Sequence, residues 1–107
     1  MPEVACLGDL NVDVLLYVDN LPSLGGESLA SRVEIRPGGA AANVSVALAR
    51  LGAASAFIGA VGDDAFGRML REDLNREGVD TSLLATIPGE VSGFMAVSYT
   101  HLRAHET

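Results

Sequence analysis

"GGAAANVSVALARLGAASAFIGAVG", residues 38–62, decides the fold. Two glycines and three alanines precede Asn43, and Val44, Ala47, Leu48 and Leu51 then recur at i, i+3, i+4 and i+7, the spacing of one helix face. This predicts a helix from about Ala42 to Leu51, stopped by Gly52 in the left-handed conformation that ends many helices. "ASAFIGAVG", residues 54–62, follows as a short apolar run flanked by glycine and reads as a buried strand.

The same alternation continues downstream. Asp63 or Asp64 can cap a second helix running to about Glu77, with Phe66, Met69, Leu70 and Leu74 as its apolar stripe and Gly78 at its end. Upstream, "VACLG" (4–8) and "DVLLYV" (13–18) read as strands, "DNLPSLGGES" (19–28) as a loop, and "SLASRVEIR" (28–36) as a strand with one wet face, Leu29, Ser31, Val33 and Ile35 alternating with polar neighbours. "SGFMAVSY" (92–99) is a further strand. Strand and helix in turn is the order of an α/β layered fold.

The 107 residues suit one small domain, and 49% hydrophobic with 20% charged residues is an ordinary globular composition. A net charge of −7, with no Lys/Arg cluster, speaks against nucleic acid as a partner. One cysteine excludes a disulfide framework; Cys6 reads as a small core residue and a reducing cytoplasm as the compartment. "MPEVACLGDL" lacks the pattern of a signal peptide, and no apolar run approaches a membrane span, so no membrane partner is expected.

Two stretches can carry chemistry. In "PGGAAAN" (37–43), Gly38 and Gly39 lack Cβ atoms and let a ligand approach the main chain, while Asn43, near a helix start, offers both donor and acceptor. The plainer reading is a tight turn with an asparagine cap. In "GDLNVDV" (8–14), Asn11 and Asp13 are two apart, so on an extended chain both side chains share one face, and a carboxylate accepting two hydrogen bonds matches neighbouring sugar hydroxyls. The plainer reading is a solvated strand end. The histidine pair His101 and His105 is too small a set for zinc, so no metal site is expected; "GAVGDDAFG" (59–67) has the wrong glycine spacing for a dinucleotide fingerprint; and "REDLNRE" (71–77) is the wet face of a helix.

Taken together, "GDLNVDV", residues 38–62 and "GAVGDDAFGRMLREDLNREGVDTS" (59–82) resemble, in this order and spacing, the ribokinase-like (PfkB) family of carbohydrate kinases, N-terminal portion only. The resemblance implies an α/β fold: a ribokinase-like three-layer α/β/α sheet, here truncated, with a small β lid whose strands lie near 12–18, 28–36 and 92–98. Residues 1–98 would form the N-terminal part of the kinase domain, and residues 99–107, which look like an adapter-derived extension, a non-native tail. It implies transfer of the γ-phosphoryl of ATP, with Mg²⁺, to a sugar or sugar-like hydroxyl. Asn11, Asp13, Gly38, Gly39 and Asn43 would then bind substrate, a sugar or nucleoside.

No catalytic residue is assigned, because the family's second Gly-rich turn and its proton-accepting Asp have no counterpart in residues 63–107; the chain by itself is expected to be inactive. The absence of Lys or Arg from "GDLNVDV" favours a neutral substrate, although Arg32 or Arg36 could meet a phosphate. The competing reading is a non-catalytic sugar-binding module or a homodimer formed through the lid.

Overall fold

The computed structural model describes residues 2–21 and 23–100. From residue 101 the tail, with His101 and His105, lies outside the described residues. The elements are β1 (Val4–Leu7), β2 (Asn11–Val18), β3 (Ala30–Gly38), α1 (Ala40–Arg50), β4 (Ser55–Gly62), α2 (Ala65–Arg76), β5 (Leu84–Ile87) and β6 (Phe94–Tyr99). The chain divides into two compact units, residues 1–12 with 37–93, and residues 13–36 with 94 onward.

The first unit is built on a parallel sheet in the order β1-β4-β5. The eight residues of β4 serve two four-residue neighbours in succession: Val4–Leu7 pair with Ser55–Ile58, and Leu84–Ile87 pair with Gly59–Gly62. A strand flanked on both sides by parallel partners must be apolar nearly throughout, and "SAFIGAVG" is. Phe57 is fully buried on it, as are Leu70 and Leu74 on α2, each side chain worth roughly 1.5–3 kcal/mol of burial. β5 was not expected; only four residues long and set among turn residues, it owes its extended form to pairing with β4.

Both helices pack against this sheet, and both end in the same hydrogen-bonded device. Gly52 donates to the Ala49 carbonyl and Ala53 to that of Leu48; Gly78 donates to Asn75 and Val79 to Leu74. Gly52 and Gly78 have φ of 95° and 83°, as this motif requires at the residue after the cap. Their beginnings differ. Asp64, not Asp63, caps α2, accepting from the Gly67 N–H at 2.7 Å, whereas Gly39 precedes α1 with no side-chain cap.

Three expectations need correction in this unit. α1 begins at Ala40, two residues early, because alanines are strong helix formers; Asn43 therefore stands inside its first turn and is not its cap. The buried face of α1 is Ala42 and Ser45, while Val44 and Leu51, expected to face the core, are 52% and 84% exposed. Small side chains let the helix backbone come close to the sheet, and that proximity outweighs the larger residues opposite. Cys6 is half-buried, since its strand lies at the edge of the three-stranded sheet.

The second unit carries most of a sheet in the order β3-β2-β6, at bounds of 30–38, 11–18 and 94–99. The wet-faced reading of β3 is also corrected: Leu29, Val33 and Ile35 are all exposed, so this strand has no dry face among the described residues. Arg32 lies 4.1 Å from the centre of the Tyr17 ring and bridges to Glu34, and Arg36 bonds the other oxygen of the same carboxylate.

Candidate functional site

The two stretches singled out in the sequence meet within the first unit. Gly39 has φ of 105°, and a Cβ there would collide with the backbone of Asp9, standing 3.1 Å from Leu10 Cα. A Cβ on Gly8 would lie 2.7 Å from the Cβ of Ala41. The lack of a side chain at Gly8 and at Gly39 thus has an internal cause: the link from β1 to β2 is pressed against the start of α1. A ligand is not needed to explain Gly39. It would find there a surface made of main chain, rich in peptide donors and acceptors.

Gly38 is buried at the end of β3, and Asn43 is exposed on the first turn of α1, its own N–H donating to the Gly39 carbonyl at 2.9 Å. Both line a cavity of about 360 Å³ with Leu10, Ala42 and Val46. Arg50 and Glu77 also line it: Arg50 Nε and Nη2 donate to the two Glu77 carboxylate oxygens at 2.7 and 2.6 Å, joining the last turn of α1 to the end of α2. Arg50 raises its affinity for a proton through this pair and Glu77 loses some of its own. Exposed pairs of this kind contribute little to stability.

Asn11, half-buried, opens β2 and sits beside Gly93: a Cβ on Gly93 would lie 3.6 Å from that of Asn11, and the Val12 N–H donates to the Gly93 carbonyl at 3.0 Å. Asp13, also half-buried, follows two residues later on the same strand and belongs to the second unit. The structure brings Gly38, Gly39 and Asn43 together with the residues just before Asn11.

Sequence reasoning missed the surroundings of Ser92. Its N–H donates to Asp64 Oδ2 at 2.8 Å and its hydroxyl donates to Asp64 Oδ1 at 2.7 Å, while the Ser92 hydroxyl oxygen accepts from the Gly62 N–H at 2.9 Å. These bonds, those of the Ser92 N–H and hydroxyl first and then that of the Gly67 N–H, hold the Asp64 carboxyl below its ordinary titration range. "GDDAFG" was the available signal, read only as a helix cap; its partner lies 28 residues on.

Among the described residues no group of three or more His, Cys, Asp or Glu side chains is placed to hold a metal ion. Nor is any helix of the described residues long and apolar enough to cross a membrane.

Comparison with known proteins gives a consistent result. A family model described as pfkB family carbohydrate kinase matches residues 1–101. The chain is 48% identical over 81 residues to "Probable fructokinase-7" of Arabidopsis thaliana, covering 74% of this chain and 22% of that protein. It is 46% identical over 82 residues to the fructokinase of Escherichia coli, covering 77% and 23%. The solved Arabidopsis thaliana ribokinase complexed with ribose and ATP superimposes with a TM-score of 0.85 at 27% identity, covering 92% of this chain and 32% of that one. The chain therefore spans between about a fifth and a third of the length of these relatives.

Proposed function

We propose a function from one premise: the chain belongs to the pfkB family of carbohydrate kinases, with the ribokinase-like α/β fold. It supplies the sugar-holding part of an enzyme that phosphorylates a sugar hydroxyl at the expense of ATP, and it contributes no catalytic base. The observation that supports this reading is the contact of the Gly8–Leu10 link with the Gly39–Ala41 helix start, which brings the glycine pair close to the residues just before Asn11. Asn11, Gly38, Gly39 and Asn43 offer amide and main-chain groups to sugar hydroxyls, and Asp13 has the carboxylate role that the family resemblance gives it. A reducing cytoplasm suits the free thiol of Cys6.

The substrate is a neutral sugar of the fructose or ribose class. Arg32 and Arg36, the two cations considered for a phosphate, are engaged: they share Glu34, and Arg32 also covers Tyr17. Fructose, ribose and their phosphates, titrated calorimetrically into the 107-residue chain, test this. Both neutral sugars are expected to bind, the phosphates more weakly, and Asp13→Ala to weaken sugar binding by roughly tenfold or more, the worth of a charged hydrogen bond. Tighter binding of the phosphates would overturn the substrate class.

A second reading, pairing of two copies through the β3-β2-β6 sheet, is favoured by the exposure of Val33, Ile35, Phe94 and Met95 on its strands.

A further inference from the structure

The network around Ser92 has an end beyond the helix it caps. Ser92 is buried, and its N–H and hydroxyl are both bound by one carboxylate. The fit is close enough that Gly62 and Gly67 admit no side chain: a Cβ on Gly62 would strike the main chain of Glu90, Val91 and Ser92, and one on Gly67 would strike the Gly62 carbonyl. The Asp63 N–H donates to the Glu90 carbonyl at 3.2 Å, so the strand-to-helix turn holds this segment at two successive places. The next residue is Gly93, whose carbonyl receives the Val12 N–H and whose Cα faces the root of Asn11.

A continuous path of short contacts thus runs from the N-cap of α2, through Ser92 and Gly93, to the backbone that carries Asn11. A helix cap alone needs only the bond to Gly67; a serine also caps well. The bond that Asp64 Oδ2 accepts from the Ser92 N–H, and the one that the capping oxygen Oδ1 accepts from the Ser92 hydroxyl, are surplus to capping.

We propose that Asp64 is a positioning residue for sugar binding: by clasping Ser92 it fixes Gly93, and through the Gly93–Val12 hydrogen bond it fixes the main chain on which Asn11 is presented. The substrate part of this inference rests on the reading under Proposed function; the clasp itself does not. Rigidity at this point matters because binding groups displaced by a fraction of an ångström lose much of their hydrogen-bond energy.

Asp64→Ser separates capping from clasping, because it keeps an acceptor for the Gly67 N–H and gives up the pair of bonds to Ser92. Ser92→Ala is the companion variant, removing the hydroxyl while leaving Asp64 and the cap intact. Amide hydrogen exchange by NMR on the 107-residue chain is expected to show the Val12 N–H exchanging at least tenfold faster in Asp64→Ser and several-fold faster in Ser92→Ala, with the α2 and β1–β4 amides within twofold of the unsubstituted chain. Fructose and ribose affinity is expected to fall several-fold in both.

An unchanged Val12 rate in both variants would overturn the clasp. Faster Val12 exchange with unchanged sugar affinity would overturn its role in binding. If the unsubstituted chain bound neither sugar, the reading under Proposed function would fall, while the Val12 amide would still decide whether the clasp exists.

Discussion

The two helices of the first unit are of similar length and pack on the same central strand, yet they are finished to different degrees. α2 has a buried stripe of Gly67, Leu70 and Leu74, a carboxylate cap at one end and charged residues toward solvent. α1 buries only Ala42 and Ser45, and presents Val44 and Leu51 outward. A helix that is apolar on most of its surface belongs in an interior, while one with a single apolar stripe belongs at a surface. α2 buries its single stripe within the described residues; α1 has the sequence of a helix covered on more than one side. The sheet repeats the lesson, since parallel strands are ordinarily covered on both faces and Leu7 on β1 is 75% exposed.

Core truncation separates the helices most strongly. Leu74→Ala on α2 is expected to cost about 2–5 kcal/mol of stability in urea unfolding, for lost burial and the cavity left behind. Leu51→Ala and Val44→Ala on α1 are expected to change it by no more than about 0.5 kcal/mol, as for other exposed sites. Comparable losses at Leu51 and Leu74 would remove the distinction between the helices.

The caps give a smaller, pH-dependent difference. Asp64 titrates below its ordinary value of 3.8 because Ser92 and Gly67 hydrogen-bond its charged form. The stability it contributes is therefore fully present above that value, where the unfolded chain is also ionised, and is lost as pH falls through the lower folded-state value. Thermal unfolding of the unsubstituted chain and of Asp64→Asn should differ most near pH 6 and converge from about pH 4 to pH 2. A gap constant across that range would show that the charge is not what holds the cap. No equivalent dependence should arise at the start of α1, where Gly39 offers no side chain.

How much could be read in advance divides along the same line. α2 was legible in its extent, in Leu70 and Leu74 of its stripe, in Gly78 and in one of two candidate caps, because those signals lie within one stretch; Phe66 and Met69, expected in the stripe, are only half-buried, and Gly67 is buried in their place. The end of α1 at Gly52 was legible for the same reason. Its buried face was not: with apolar residues on several sides, period alone cannot say which side meets the sheet, and closeness of approach chose Ala42 and Ser45 over Val44 and Leu51. β5 was invisible because "LATI" is extended only by virtue of β4.

The site divides likewise. Asn11, Asp13, Gly38, Gly39 and Asn43 were chosen from spacing and resemblance, but the reason for Gly39, the Asp9 backbone pressed against it, depends on two segments thirty residues apart. The tie from Asp64 to Ser92 is equally remote, and nothing local in "GEVSG" announces it.

The central claim is that the meeting of the Gly8–Asn11 link with the start of α1 forms a sugar-holding surface. An NMR titration of the ¹⁵N-labelled 107-residue chain with fructose and with ribose tests it residue by residue. The account predicts saturable shifts of the Asn11, Gly39 and Asn43 amides, with the Arg50–Glu77 pair silent. Shifts confined to that charged pair, or no saturable shift at any of the three amides, would contradict it.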